Sequence, residues 1–257
     1  AMIGFVVWAH HMLGAWLAAA GVAGGLAAAG VGLRRLLPAG TLRLRRGLAA
    51  LVVARGAFFA AFIGVEAFLA LMLTDLHGLS SAGTGLVIAS GAISWSAGSW
   101  WQARSDGRVA GTAGRAGRVR TGVAVLGAGL SLQVVALFLA GGGVAWVTAL
   151  SVAGWVAAGF GIGAAHATSS VWAFALAEAD GVAPGRVSAA LQLADNVGAA
   201  LATGAGGAAL AYATAAAGGS LRWGVAAAFA VAAVAWGLSA GASVRNARPT
   251  RPAAAPP

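Results

Sequence analysis

Long apolar runs broken by short polar connections dominate this chain. Seven of them, 12–33, 48–73, 80–102, 121–140, 144–167, 187–212 and 221–243, each reach the ~20 residues that a helix needs to cross a bilayer core. None shows the alternation of a lipid-facing strand, so a closed barrel is not expected and each run predicts a transmembrane helix. The fold class expected is therefore all-α, a polytopic transmembrane helical bundle of about seven spans.

The basic residues orient these spans. All sixteen cationic side chains are arginines, and fourteen of them fall in every second connection or in the tail. Arg34, Arg35, Arg43, Arg45 and Arg46 follow the first run. Arg104, Arg108, Arg115, Arg118 and Arg120 follow the third, Arg186 the fifth, and Arg245, Arg248 and Arg251 the last. The intervening connections near 74–79, 141–143 and 213–220 carry none, and Arg222 alone stands just beyond them. Cytoplasmic loops retain arginine, so the pattern predicts an inner (plasma) membrane protein with its N-terminus outside and its C-terminus cytoplasmic. Trp100, Trp101, Trp146, Trp172 and Trp223 are expected at headgroup level, and Trp95, Trp155 and Trp236 within the packing.

Four segments are expected: an isolated helix in 1–33, a basic cytoplasmic linker at 34–47, a six-helix bundle over 48–243, and a disordered tail at 244–257 ending RPAAAPP. Composition agrees, with 60% hydrophobic and 9% charged residues. The net charge of +10 is accounted for by topology and anionic headgroups, so no nucleic-acid partner is expected. With no cysteine, disulfides, thiolate metal sites and thiol nucleophiles are excluded. No glycine phosphate loop, zinc-helix motif or serine elbow is present, so an enzyme is not expected and no cofactor is implied.

Ionisable groups inside the runs are candidate functional residues, because each costs about 2.5–3.5 kcal/mol to insert. Glu66 leads them: it would bind a proton or a cationic group from a central cavity, or else hydrogen-bond a neighbouring helix. Arg55, eleven residues earlier on nearly the same face, is about 16 Å away along the axis and cannot pair with it. Snorkelling toward the cytoplasmic end is the role expected of Arg55. Gln192, Asp195 and Asn196 form a polar stripe with Ala199, and the stripe should face a cavity, with Asp195 as the second proton or substrate candidate. Gln133 and His166 are expected as packing residues, and Glu178 and Asp180 as solvated. Gly198, Ala202 and Gly206, like Gly159 and Gly163, recur every four residues and predict close helix contacts.

The stretch 55–104, RGAFFAAFIGVEAFLALMLTDLHGLSSAGTGLVIASGAISWSAGSWWQAR, resembles the seventh and eighth helices of drug-efflux-type members of the major facilitator superfamily, actinobacterial ones in particular. The stretch 188–210, SAALQLADNVGAALATGAGGAAL, is similar to their eleventh helix. The resemblance runs from about Arg34 to about Ser243 and makes the bundle the C-terminal half of such a transporter, with the first run as the sixth helix and five helices missing. The loop GSWWQARSDGR at 98–108, with Arg104, Asp106 and Arg108, resembles the second, degenerate copy of the family's loop motif; Gln102 and Ala103 stand where the stronger pattern has an acid. The resemblance implies proton-coupled antiport, the efflux of small amphipathic or cationic compounds. The partners implied are the lipid bilayer, the substrate, the proton, and a missing N-terminal half or a second copy. A truncated, inactive fragment is the alternative expectation. Separately, GFVVWAHHM at 4–12 is similar to the histidine-pair motif of haem-copper oxidase subunit I, which would make His10 and His11 part of a membrane redox subunit. His77 and His166 lack the spacing to complete such a site, so no metal site is expected.

Overall fold

The structure, a computed structural model, describes residues 45–108, 111–139 and 143–247, together with Gly24. Contacts divide the chain into two units, Ala1–Ala39 and Gly40–Pro257, and the helical bundle belongs to the second. His10, His11, the run at 12–33 and most of the linker at 34–47 lie outside the described residues.

In the second unit, six helices follow one another among the described residues: α1 (Leu48–Leu71), α2 (Ser81–Ser105), α3 (Gly111–Phe138), α4 (Gly143–Ala179), α5 (Pro184–Ala216) and α6 (Leu221–Ala247). A π-helical turn, Met72–Leu76, extends α1, and a 3-10 turn, Asp106–Arg108, extends α2. No strand occurs among the described residues. In hydrocarbon a helix satisfies all its backbone groups internally, so apolar runs of this length have little alternative. Local signals set the ends. Ser80 accepts a hydrogen bond from the Gly83 amide at 3.1 Å to cap α2, and Pro184 opens α5. Gly218 and Gly219, at φ 64 and 91, turn the chain between α5 and α6.

Among the described residues, five helical segments are long and apolar enough to cross a membrane: Leu48–Leu76, α3, α4, α5 and Leu221–Ser243. The build is that of a multi-pass membrane protein. The helix expected at 80–102 forms as α2, but its six serines and four glycines leave it less apolar than the others. On α3 the eighteen residues from Thr121 to Phe138 carry no charge and rise about 27 Å, close to the ~30 Å core of a bilayer. Exposed Trp146, Tyr212 and Trp223 stand at one end of their helices and exposed Trp100 and Trp101 at the other, as interfacial belts do.

Trp172, expected at headgroup level, is 2% exposed and packs inside the bundle, on a helix that continues twelve residues past the apolar run. Two expectations are corrected. Arg115, Arg118 and Arg120 belong to the first turns of α3, not to a loop. The backbone of α6 stays helical to Ala247, four residues into the segment expected to be a disordered tail.

The packing has an internal regularity. α4 lies mainly against α3 and α2, while α1 lies mainly against α6 and α5; α3 also meets α6, and α1 meets α4. Exchanging α1 with α4, α2 with α5 and α3 with α6 turns this set of pairings into itself. The exception is that α5 packs along α6 while α2 scarcely touches α3. Short connections make consecutive helices antiparallel, so α1 and α4, three places apart, run in opposite directions. Apart from that exception, the pairing has the pattern that inverting one half onto the other would give.

Candidate functional site

The site begins with a backbone crossing. A Cβ on Gly56 would lie 2.8 Å from the carbonyl oxygen of Ala194, and one on Gly198 would run into the carbonyl of Gly56. Only glycine lets α1 and α5 approach this closely, and the approach brings Arg55 to Asp195. Arg55 Nε donates to Asp195 Oδ1 at 3.0 Å and Oδ2 at 3.2 Å, and Nη2 donates to Oδ2 at 2.8 Å. The side chains are 7% and 6% exposed, so this is a buried, bidentate ion pair.

α4 completes the shell. Arg55 Nη1 donates to Ser170 Oγ at 2.6 Å, the His166 carbonyl at 3.2 Å and Ser169 Oγ at 3.3 Å. His166 Nε2 lies 2.7 Å from Arg55 Nη2 and 3.1 Å from Asp195 Oδ2. These two contacts make opposite demands. Guanidinium has no acceptor, so a bond to Arg55 requires a bare Nε2, whereas a bond to Asp195 requires Nε2–H. One proton at one nitrogen therefore decides which partner the imidazole serves. Snorkelling of Arg55 is overturned, since the carboxylate of Asp195 offers it a partner within the bundle. His166, expected only to pack, belongs to this cluster.

Beyond the cluster runs an aromatic layer. Phe59, Phe62 and Glu66 share the Arg55 face of α1 at i+4, i+7 and i+11. Trp95 from α2 meets Phe59, Phe62 and His166 edge-on, at ring distances of 6.1, 5.3 and 5.4 Å. Phe62 stacks on Trp155 from α4 at 4.5 Å. Glu66 follows, partly exposed and without a hydrogen bond or ion pair among the described residues. The face thus reads ion cluster, aromatic layer, carboxylate, over about 16 Å.

The stripe on α5 divides. Asp195 is buried at 4% exposure, while Gln192 and Asn196 are exposed and bonded to each other at 3.1 Å. At the basic end Arg104 lies 3.9 Å over the Trp100 ring. Asp106 accepts from Gln102 Nε2 at 3.0 Å and pairs with Arg118 at 3.6 Å and Arg115 at 3.8 Å, while Arg108 is exposed. Asp106 is thus tied to α3 across the connection.

Gln133 joins α3 to α4 by donating to the Ser151 carbonyl at 2.9 Å, and Glu178 and Asp180 are exposed. Ala202 meets Gly64, Gly206 meets Phe68, and Gly159 and Gly163 meet α2 at Gly91 and Trp95, so the small-residue faces are contact surfaces. Among the described residues no group of three or more His, Asp or Glu side chains is arranged to hold a metal ion. No protein-family model, curated protein or solved structure matches this chain.

Proposed function

We propose that the described bundle is one half of a secondary transporter that exchanges protons for a small amphipathic or cationic organic compound. The observation that carries this reading is the face of α1 on which a buried Arg55–Asp195–His166 cluster and an unpaired Glu66 flank an aromatic layer. A half-exposed carboxylate one helical turn beyond Phe62, on the face of α1 that carries Phe59 and meets Trp95, suits an organic cation, which gains from both charge and ring faces. The two-partner nitrogen of His166 gives a proton a structural consequence. The inverted pairing of helices supports the same reading, because alternating-access carriers are commonly built from inverted repeats that rock about a midplane site. The described residues supply one bundle, and transport needs a second one packed around the same site.

The proposed orientation leaves the arginine-rich connections in the cytoplasm and the Glu66 end of α1 toward the exterior, so a proton entering from outside reaches Glu66 before the cluster. Membrane vesicles carrying the native protein and loaded with ethidium test the proposal under an imposed pH gradient. Ethidium movement should follow the gradient, and Glu66→Gln should abolish its pH dependence. Unchanged pH dependence in that variant removes Glu66 from coupling; absence of gradient-driven movement across a panel of organic cations overturns the transporter reading.

A further inference from the structure

A cleft of about 160 Å³ opens between α3 and α4 at the basic end of the bundle, walled on one side by Trp101 of α2. Its polar lining is Arg118 and Thr121; deeper in it is apolar, with Val125, Phe160 and Ala164 over a floor formed where Gly122 meets Gly161. Arg115, Arg118, Thr121 and Val125 follow one another at helical spacing along α3, so one face changes from doubly cationic to apolar over about 15 Å.

The charges around the mouth are unbalanced. Arg115 and Arg118 share the single carboxylate of Asp106, with Arg104, Arg108 and Arg120 close by in sequence. Arg118 is committed: it donates to the Ser105 carbonyl at 2.9 Å and the Gln102 carbonyl at 3.4 Å, and its guanidinium covers the Trp101 ring. Arg115 is not. Its closest acid is Asp106 at 3.8 Å, and 24% of its side chain is exposed beside the cleft-lining Arg118 turn, so its terminal nitrogens can take a further acceptor. A cationic rim beside an apolar cleft, at the level where Trp100 and Trp101 mark the membrane interface, complements the charge and polarity of an anionic phospholipid.

We infer that this cleft holds one anionic phospholipid from the leaflet at the basic end, its phosphate accepting from Arg115 and the upper part of one acyl chain lying over Thr121, Val125 and Phe160. The inference rests on the membrane placement of the helices and not on transport, so it stands or falls separately from the proposed carrier activity. A bound lipid would tie the start of α3 to the bilayer surface and hold the α2–α3 connection through Asp106.

The test is native mass spectrometry of the full chain released from membranes containing equal amounts of phosphatidylglycerol and phosphatidylcholine. One phosphatidylglycerol should remain per chain, retained about tenfold better than phosphatidylcholine, a ratio that one charge-assisted contact supports. Arg115→Gln should remove that preference and Arg115→Lys should restore most of it, while Val125→Trp should lower retention of both lipids by filling the cleft. Tryptophan fluorescence melting separates a variant that has not folded from one that has lost the lipid. Equal retention of the two lipids, retention unaffected by both Arg115→Gln and Val125→Trp, or displacement by millimolar glycerol phosphate would each overturn the inference, the last by identifying a site for free phosphate.

Discussion

Replacing Asp195 with Asn removes the only carboxylate that Arg55 contacts while leaving the shape of the site nearly unchanged. At the observed 2.8 Å the direct attraction is roughly 6 kcal/mol at an effective dielectric of about 20. Most of that offsets the cost of taking both charges out of water. What matters for the variant is that Arg55 stays charged and buried with only neutral acceptors for its donors: Ser169, Ser170, the His166 carbonyl and Nε2, and the new amide oxygen. Breaking one side of such a pair costs about 3–5 kcal/mol, whereas replacing both sides with apolar residues of similar volume is often neutral or stabilising. Asp195→Asn should therefore lower the thermal midpoint by on the order of 10 °C for a chain of this size. The double variant Arg55→Met with Asp195→Leu should recover most of that loss. Tryptophan fluorescence in detergent reads both, and the absence of cysteine removes thiol oxidation as a complication. A single variant melting with the wild type, or a double variant worse than the single, refutes the buried-pair reasoning.

Other outcomes follow from the same geometry. Gly198→Val should separate α1 from α5 and cost about 1–3 kcal/mol by overpacking, while Gly204→Ala, which meets nothing within 4 Å, should melt like the wild type. Burial, reinforced by Arg222, holds His77 below the usual histidine value of 6.5. The unfolded chain then takes up that proton first as pH falls, so stability should drop as pH passes below about 6.5, and His77→Gln should flatten this part of the pH–midpoint curve. In a background without native cysteine, Gly218→Cys in intact spheroplasts should react with an impermeant maleimide and Asp180→Cys should not; the reverse pattern inverts the proposed orientation.

Much of the fold was legible because bilayer-length apolar runs leave the chain little choice but helix, and because Gly78, Gly181 and Gly218 fall in the connections between them. Helix lengths were less legible. Hydropathy falls after residue 167, yet HATSSVWAFALAEA contains no glycine or proline to stop α4, which turns only at Gly181. The close-contact faces of α4 and α5 were readable from small residues at a spacing of four. The ion cluster was not, because helical periodicity gives the face of a residue and says nothing about which helix that face meets. Arg55 and Asp195 are 140 positions apart, and only the Gly56–Gly198 crossing makes them neighbours. A usable signal existed nonetheless: one unpaired arginine and one unpaired aspartate, each within an apolar run, are expected to seek each other in hydrocarbon.

The position of that pair across the two halves gives it significance beyond stability. Arg55 comes from α1 in the first half, and Asp195 and His166 come from α5 and α4 in the second, so the cluster ties the halves together near the bundle interior. Small-residue crossings at Gly56–Gly198 and Gly91–Gly159 leave smooth surfaces along which backbones can shift without forcing side chains past one another. His166 Nε2 serves one partner at a time, donating to Asp195 or accepting from Arg55. The two serines and the bidentate pair keep Arg55 partnered in either arrangement. The cost of burying these polar side chains is thus attached to a contact that joins the two halves.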